Sequence, residues 1–229
     1  MVKIYADGAD IEEMHAMARN KVVKGFTTNP TLCRKAGVKN YRGFAERAIR
    51  SFPDYPISFE VFSDDLDGMY AQGIEIDSWG DNVFVKVPVC NTEGMSTEKV
   101  IRALAAQGVK VNVTAVMCHQ QIDEVYSALT DTPAIISIFA GRIADTGRSP
   151  IGAILYAVKH KQSSLHEVLW ASPRQVLDVY TADSLGADII TCTAEIIKKL
   201  KLEGKNLIEY SRETSKMFFD DAQQAGYKI

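Results

Sequence analysis

Short apolar runs rich in β-branched and aromatic residues alternate along this chain with longer stretches whose apolar residues recur every three or four positions. The first pattern suits strands buried on both faces; the second suits helices buried along one stripe. The runs predict strands over Val2–Ala6, Gly25–Thr28, Ile57–Phe62, Val83–Val87, Val109–Val116, Ala134–Phe139, Glu167–Ala171 and Asp188–Cys192. Helical spacing falls on Asp10–Arg19, Tyr41–Ser51, Gly94–Ala106, His119–Leu129 and Pro173–Leu185, with Asp10 and Pro173 as helix starts. Eight strand–helix units in succession predict an α/β fold closed into a (β/α)8 TIM barrel. The competing architecture, an open doubly wound sheet, carries a G-x-G-x-x-G turn in its dinucleotide-binding forms, and none follows any of these strands. A further amphipathic segment, Leu207–Ala225, sets Met217, Phe218 and Phe219 in a row, more apolar surface than a terminal helix needs by itself. The expected organisation is one barrel domain over residues 1–229, with a C-terminal helix over 206–225 available to dock on a neighbouring subunit.

Composition narrows the function classes. A chain of 229 residues, 46% hydrophobic, can bury one large core. The net charge of −3, from 26 Lys+Arg against 29 Asp+Glu, supplies no basic field for nucleic acid or an anionic membrane, so any anion must be caught locally. The opening MVKIYADGAD lacks a signal pattern, and no apolar run reaches the roughly 18 residues of a membrane span, so a cytoplasmic location is expected. Cys33, Cys90, Cys118 and Cys192 lie far apart, with no C-x-x-C and no histidines at ligand spacing; reduced thiols are expected rather than a metal site or disulfides. His15, His119, His160 and His166 fall in predicted helices or their flanking turns and read as structural or surface residues. Lys198-Lys199-Leu200-Lys201 reads as a solvated helix end, where the helix dipole favours cations.

A barrel of this kind carries its active site at the C-terminal ends of its strands, and polar residues crowd there: Asp7, Thr28, Asn29, Glu60, Lys86, Asn112 and Thr114, then Arg142, Ser172 and Arg174 past the sixth and seventh strands. Lys86 interrupts Val83-Phe84-Val85-Lys86-Val87-Pro88, and strand alternation puts it on one face with Phe84. If that face is the barrel interior, burial disfavours the ammonium form and leaves an amine able to attack a carbonyl. The alternative is a structural ion pair with a neighbouring carboxylate. Asp7 and Glu60 would face the same cavity and could move protons; equally, Asp7 in Asp-Gly suits a turn, and Glu60 could merely neutralise Lys86. Arg142, Arg174 and Ser172, the last preceding a helix N-terminus, would make a local anion site. Against this, Arg142 could instead pair with Asp145.

Three stretches carry a family resemblance: Gly25-Phe26-Thr27-Thr28-Asn29-Pro30-Thr31-Leu32, Val85-Lys86-Val87-Pro88, and Ser137-Ile138-Phe139-Ala140-Gly141-Arg142-Ile143. In these the chain resembles the transaldolases over nearly its whole length, in the compact branch that includes fructose-6-phosphate aldolase and is often found as a ring-like decamer. The resemblance implies Lys86 as Schiff-base lysine, Asp7 as acid/base residue, and Glu60 with Thr114 holding a catalytic water. It implies substrate contacts from Thr28, Asn29, Asn112, Ser137 and Phe139, and an anion set of Arg142, Ser172 and Arg174, although Pro173 stands where the family usually has Phe. It further implies an anionic ketose donor, an aldehyde acceptor, a homo-oligomer, and no metal or organic cofactor. Fructose-6-phosphate aldolases typically carry Gln and Tyr where this chain has Glu60 and Phe139, which favours aldol transfer over release of free dihydroxyacetone. A non-catalytic barrel that binds an anionic sugar is the alternative from another class.

Overall fold

In a computed structural model describing residues 1–229, the eight apolar runs are strands β1 (Lys3–Asp7), β2 (Val23–Thr27), β3 (Ile57–Glu60), β4 (Val83–Pro88), β5 (Val111–Val116), β6 (Ala134–Ile138), β7 (His166–Trp170) and β8 (Ile189–Cys192). Each pairs in parallel with the next, and β8 pairs back onto β1, so the sheet closes into the barrel that the alternation predicts. Helix α1 (Ile11–Ala18) follows β1, and α2 (Pro30–Lys35) and α3 (Tyr41–Ser51) follow β2. The next strands are followed by α4 (Leu66–Asp77), α5 (Glu98–Ala106) and α6 (His119–Ala128). Helices α7 (Ala140–Asp145) and α8 (Ile151–Lys159) come after β6, α9 (Leu177–Ser184) after β7, and α10 (Ala194–Lys199) and α11 (Leu207–Ala225) after β8.

The helix starts are set by side chains that accept from the free N–H groups of a first turn. Asp10 accepts from Glu13 N, Asn29 from Leu32 N with Pro30 as first helical residue, and Asn40 from Gly43 N. Two expected starts are corrected. The helix expected from Gly94 begins at Glu98, because Gly94 takes φ 79° and the Asn91 side chain accepts from Glu93 N and Met95 N, holding the segment as a turn. The helix expected from Pro173 begins at Leu177, because Asp178 Oδ2 accepts from Arg174 N and Gln175 N and fixes a turn ahead of it. His166 is also corrected: it opens β7 rather than a helix or its flank, and its ring Nε2 lies 2.9 Å from the Thr130 carbonyl.

Outward-facing strand residues such as Phe59, Val85, Val113 and Ile136 are fully buried. Inside the barrel, Tyr5, Ile135, Leu169, Ala171 and Ile189 form a plug against which Phe84 and Phe139 pack, so the interior is filled core with the polar residues above it. Gly25 makes room for this plug: a Cβ there would stand 2.6 Å from the Tyr5 ring.

The chain forms two compact units, Met1–Ile197 and Lys198–Ile229. The second is built on α11, which starts at Asn206, whose side chain accepts from Ile208 N and Glu209 N, and ends at Gly226 in the left-handed region. None of the α11 residues is buried, and Phe218 and Phe219 are each 63% exposed. The four cysteines form no disulfide. No helix is long and apolar enough to cross a membrane.

Candidate active site

The polar strand ends open on a cavity of about 490 Å³, lined by residues of seven strands and of the loop that follows the other, β7. Parallel register stacks its reacting groups side by side: Glu60 is level with Lys86, Lys86 with Asn112, and Asp7 with Thr27. Of the residues read from the sequence, Asp7, Asn29, Glu60, Lys86, Thr114, Ser137, Phe139, Arg142 and Ser172 line the cavity. Thr28, Asn112 and Arg174 do not.

Lys86 points into the barrel, with 7% of its side chain exposed. Its Nζ lies 3.0 Å from Glu60 Oε2 and donates to the Thr28 carbonyl at 3.2 Å. Taking two charges out of water costs several kcal/mol per ion unless close pairing and hydrogen bonds offset it, and this pair has both. The ion pair and the cavity position therefore coexist, so the two sequence readings of Lys86 are not exclusive. Glu60 is itself held from outside the barrel. Past Ser58, β2 no longer pairs with β3, and the Tyr41 hydroxyl takes over, accepting from Glu60 N at 2.9 Å and donating to Glu60 O at 3.1 Å.

Asp7 stands across the cavity floor at the end of β1. Burial pushes its carboxyl above the usual range; the Lys86 charge and a hydrogen bond from Thr27 pull it down, and the Glu60 charge pushes it up. The Thr27 hydroxyl donates to Asp7 Oδ1 at 3.0 Å and lies 2.5 Å from the Thr191 hydroxyl.

Asn112 is fully buried, and its amide donates to Ser58 Oγ at 2.9 Å and accepts from Ser137 Oγ at 2.7 Å. It shares the inward face with Lys86 and orients Ser137, which lines the cavity. Thr28 is turned away from the cavity: its hydroxyl donates to the Ser58 carbonyl at 2.7 Å, and only its own carbonyl reaches Lys86. The Thr114 hydroxyl is buried without a partner in the protein. An unpaired buried hydroxyl costs about 1–3 kcal/mol, so this one favours a hydrogen-bonding guest.

Two residues of the cavity wall take the left-handed backbone that side chains disfavour, Ala115 at φ 61° and Ser172 at φ 60°. At Ala115 the β5–β6 register slips between Val113 and Val116. At Ser172 the carbonyl presses on Gly141 so closely that a Cβ there would lie 1.6 Å from it. That contact brings Arg142, the residue after Gly141, beside Ser172. The helix N-terminus expected behind Ser172 is absent, since α9 starts at Leu177. Arg174 is engaged elsewhere: its guanidinium forks onto Asp145, with Nε 3.0 Å from Oδ1 and a second bond from NH2 to Oδ2. Asp145 thus closes on Arg174 rather than on Arg142.

Sequence reading missed Thr27, Thr191, Tyr41, Ser58 and Lys35. Thr191 is a polar residue near the end of β8, where the same strand-end rule finds it; Lys35 reaches the cavity from α2, a helix too short for periodicity to mark.

Residues 4–229 match the family model described as Transaldolase/Fructose-6-phosphate aldolase. A protein of Roseiflexus castenholzii named "Probable transaldolase" is 36% identical over 202 residues, covering 86% of this chain and 88% of that protein. One of Myxococcus xanthus with the same name is 35% identical over 204 residues, covering 87% of this chain and 86% of its own. Among solved structures, 3-hexulose-6-phosphate synthase matches with a TM-score of 0.57 at 14% identity, covering 84% of this chain and 89% of its own. Dihydrodipicolinate synthase from Rhodopseudomonas palustris matches with a TM-score of 0.58 at 12% identity, covering 97% of this chain and 80% of its own. At such identities these two speak for the barrel alone. The sequence matches go further: the chain belongs to the transaldolase/fructose-6-phosphate aldolase family.

Proposed function

We propose that the protein transfers a dihydroxyacetone unit from an anionic ketose to an acceptor aldehyde through an imine on Lys86. The observation that carries this reading is the placement of Lys86 Nζ inside the cavity, 3.0 Å from the Glu60 carboxylate. In this reading the Lys86 amine adds to the ketose carbonyl, and the carbinolamine loses water to give an iminium ion. Glu60 exchanges protons with the amine and carbinolamine, with the water held between Glu60 and Thr114. Asp7 takes the C4 hydroxyl proton as the C3–C4 bond breaks, and that bond's electron pair flows to the iminium nitrogen as an enamine. The leaving aldehyde departs, the enamine attacks the incoming aldehyde, Asp7 returns its proton to the new C4 oxygen, and hydrolysis frees Lys86.

Asn29 and Ser137 bind substrate hydroxyls, with Asn112 supporting Ser137, and Phe139 closes the apolar side of the cavity. Arg142 and Ser172 hold the terminal anion, with Arg174 in reserve behind Asp145. Glu60 and Phe139, in place of the Gln and Tyr typical of fructose-6-phosphate aldolases, favour transfer over free release. We place the protein in cytoplasmic sugar-phosphate metabolism of the pentose phosphate type, where unpaired cysteines stay reduced. We propose a homo-oligomer, a decamer as in the compact branch, with α11 packed against another copy.

The test is product analysis with fructose 6-phosphate, with and without an aldose phosphate acceptor. Transfer predicts acceptor-dependent turnover with little free dihydroxyacetone. Equal turnover without acceptor, with stoichiometric dihydroxyacetone, would contradict it.

A further inference from the structure

The proton count in the hydroxyl chain beside Asp7 singles out a residue that the proposed reaction does not yet use. Thr27 has one hydroxyl hydrogen. When Asp7 is ionised it has none to give, so the Thr27 hydroxyl, 3.0 Å from Oδ1, donates to it. The Thr27 oxygen then accepts at the 2.5 Å contact with Thr191, and the hydrogen in that contact belongs to Thr191. The direction of the whole chain is therefore fixed: Thr191 to Thr27 to Asp7. Its geometry is fixed by the barrel. Tyr5 in β1 is level with Thr191 in β8 and Asp7 with Thr27 in β2, so three adjacent strands carry the three groups to one corner of the cavity floor. Thr27 is 2% and Thr191 7% exposed, so both sit low in the cavity with little surface open to solvent.

We infer that Thr191 is a positioning residue for the aldol reaction: by donating to Thr27 it polarises and orients the hydroxyl that holds the Asp7 carboxylate ready to take the substrate proton. The inference rests on the reading of Asp7 as the acid/base residue. A donor already accepting a hydrogen bond donates more strongly, by some 10–30% per bond, and the ionised acceptor profits more than the neutral one. The relay therefore opposes the burial that pushes Asp7 upward. The other titratable groups acting on Asp7 are Lys86 on β4 and Glu60 on β3, with Cys192 coupled to it from β8; the Thr191 substitution leaves all three in place.

The experiment follows aldehyde release from fructose 6-phosphate in a single turnover, as a function of pH. It compares the wild type with Thr191→Val, Thr27→Val, the double variant, Thr191→Ser and Asp7→Asn. Valine keeps the shape of threonine, and Thr191→Ala repeats the loss of the hydroxyl with a smaller side chain. The acid limb is expected to move up by about 1 pH unit in Thr27→Val and by about 0.3 in Thr191→Val. Thr191→Ser is expected to keep the wild-type limb. In the Thr27→Val background the Thr191 substitution is expected to add nothing, because it acts only through Thr27. An equal shift in both backgrounds, or no shift from either Thr191→Val or Thr191→Ala beside an inactive Asp7→Asn enzyme, would overturn the inference alone. An Asp7→Asn enzyme that cleaves with an unchanged acid limb would overturn the reading of Asp7, and the inference with it.

Discussion

Two carboxylates, Asp145 and Asp7, set how the cavity handles charge. Asp145 takes the Arg174 fork and leaves Arg142 as the arginine of the cavity wall. An exposed pair of this kind contributes up to about 1 kcal/mol, so releasing Arg174 by Asp145→Asn should lower KM for a phosphorylated donor about two- to five-fold, with kcat unchanged. Steady-state kinetics on phosphorylated and unphosphorylated donors check this, the unphosphorylated one being unaffected. Asp7 has a folded pKa raised above its ordinary value of 3.8, so its ionisation opposes folding. That penalty is fully present above the folded pKa, shrinks as pH falls through it, and vanishes below the unfolded value. Asp7→Asn, which keeps an acceptor for Thr27, should therefore unfold at a higher temperature at neutral pH, by about 2–4 °C per kcal/mol relieved. Thermal melts across pH should show the advantage fading toward about pH 4. Lys86 was legible in the sequence because a charge in mid-strand conflicts with its neighbours. The Asp145–Arg174 pair was not, because 29 positions, a helix and a strand separate its partners and either arginine was a plausible mate.

At the scale of elements, strands were the most legible, because a parallel strand buried on both faces leaves an apolar run bounded by polar turns. The helix starts at Gly94 and Pro173 were misread because side chains of Asn91 and Asp178 hold the preceding residues in turns, a local competition that periodicity does not register. Gly141 shows how elements set the site. It lies in the first turn of α7 against the Ser172 carbonyl, a backbone atom that cannot rotate away as a side chain would. Gly141→Ala should cost at least about 1–3 kcal/mol, as overpacking does, and should raise KM for a phosphorylated donor by separating Arg142 from Ser172. Urea unfolding and donor kinetics on the same variant test both halves. An unchanged KM would detach this contact from anion binding.

For the whole molecule, the barrel was legible from eight alternating units and the C-terminal helix from its row Met217–Phe219, whereas the boundary of the second unit at Lys198 was not, since α10 and the residues after it continue the helical spacing. Its exposed Met217, Phe218 and Phe219 are the apolar surface that the proposed oligomer would cover. Phe218→Glu with Met217→Glu should shift sedimentation toward smaller species without loss of barrel circular dichroism; an unchanged sedimentation coefficient would remove α11 from the interface. The family assignment covers residues 4–229, while the chemistry rests on one amine in one cavity. The decisive measurement is therefore borohydride reduction in the presence of fructose 6-phosphate or dihydroxyacetone, followed by peptide mass mapping. An imine at Lys86 leaves a ketose-dependent adduct on that residue that is absent from Lys86→Met; folded protein that gives no adduct with any ketose, or equal labelling in Lys86→Met, would rule out the imine mechanism.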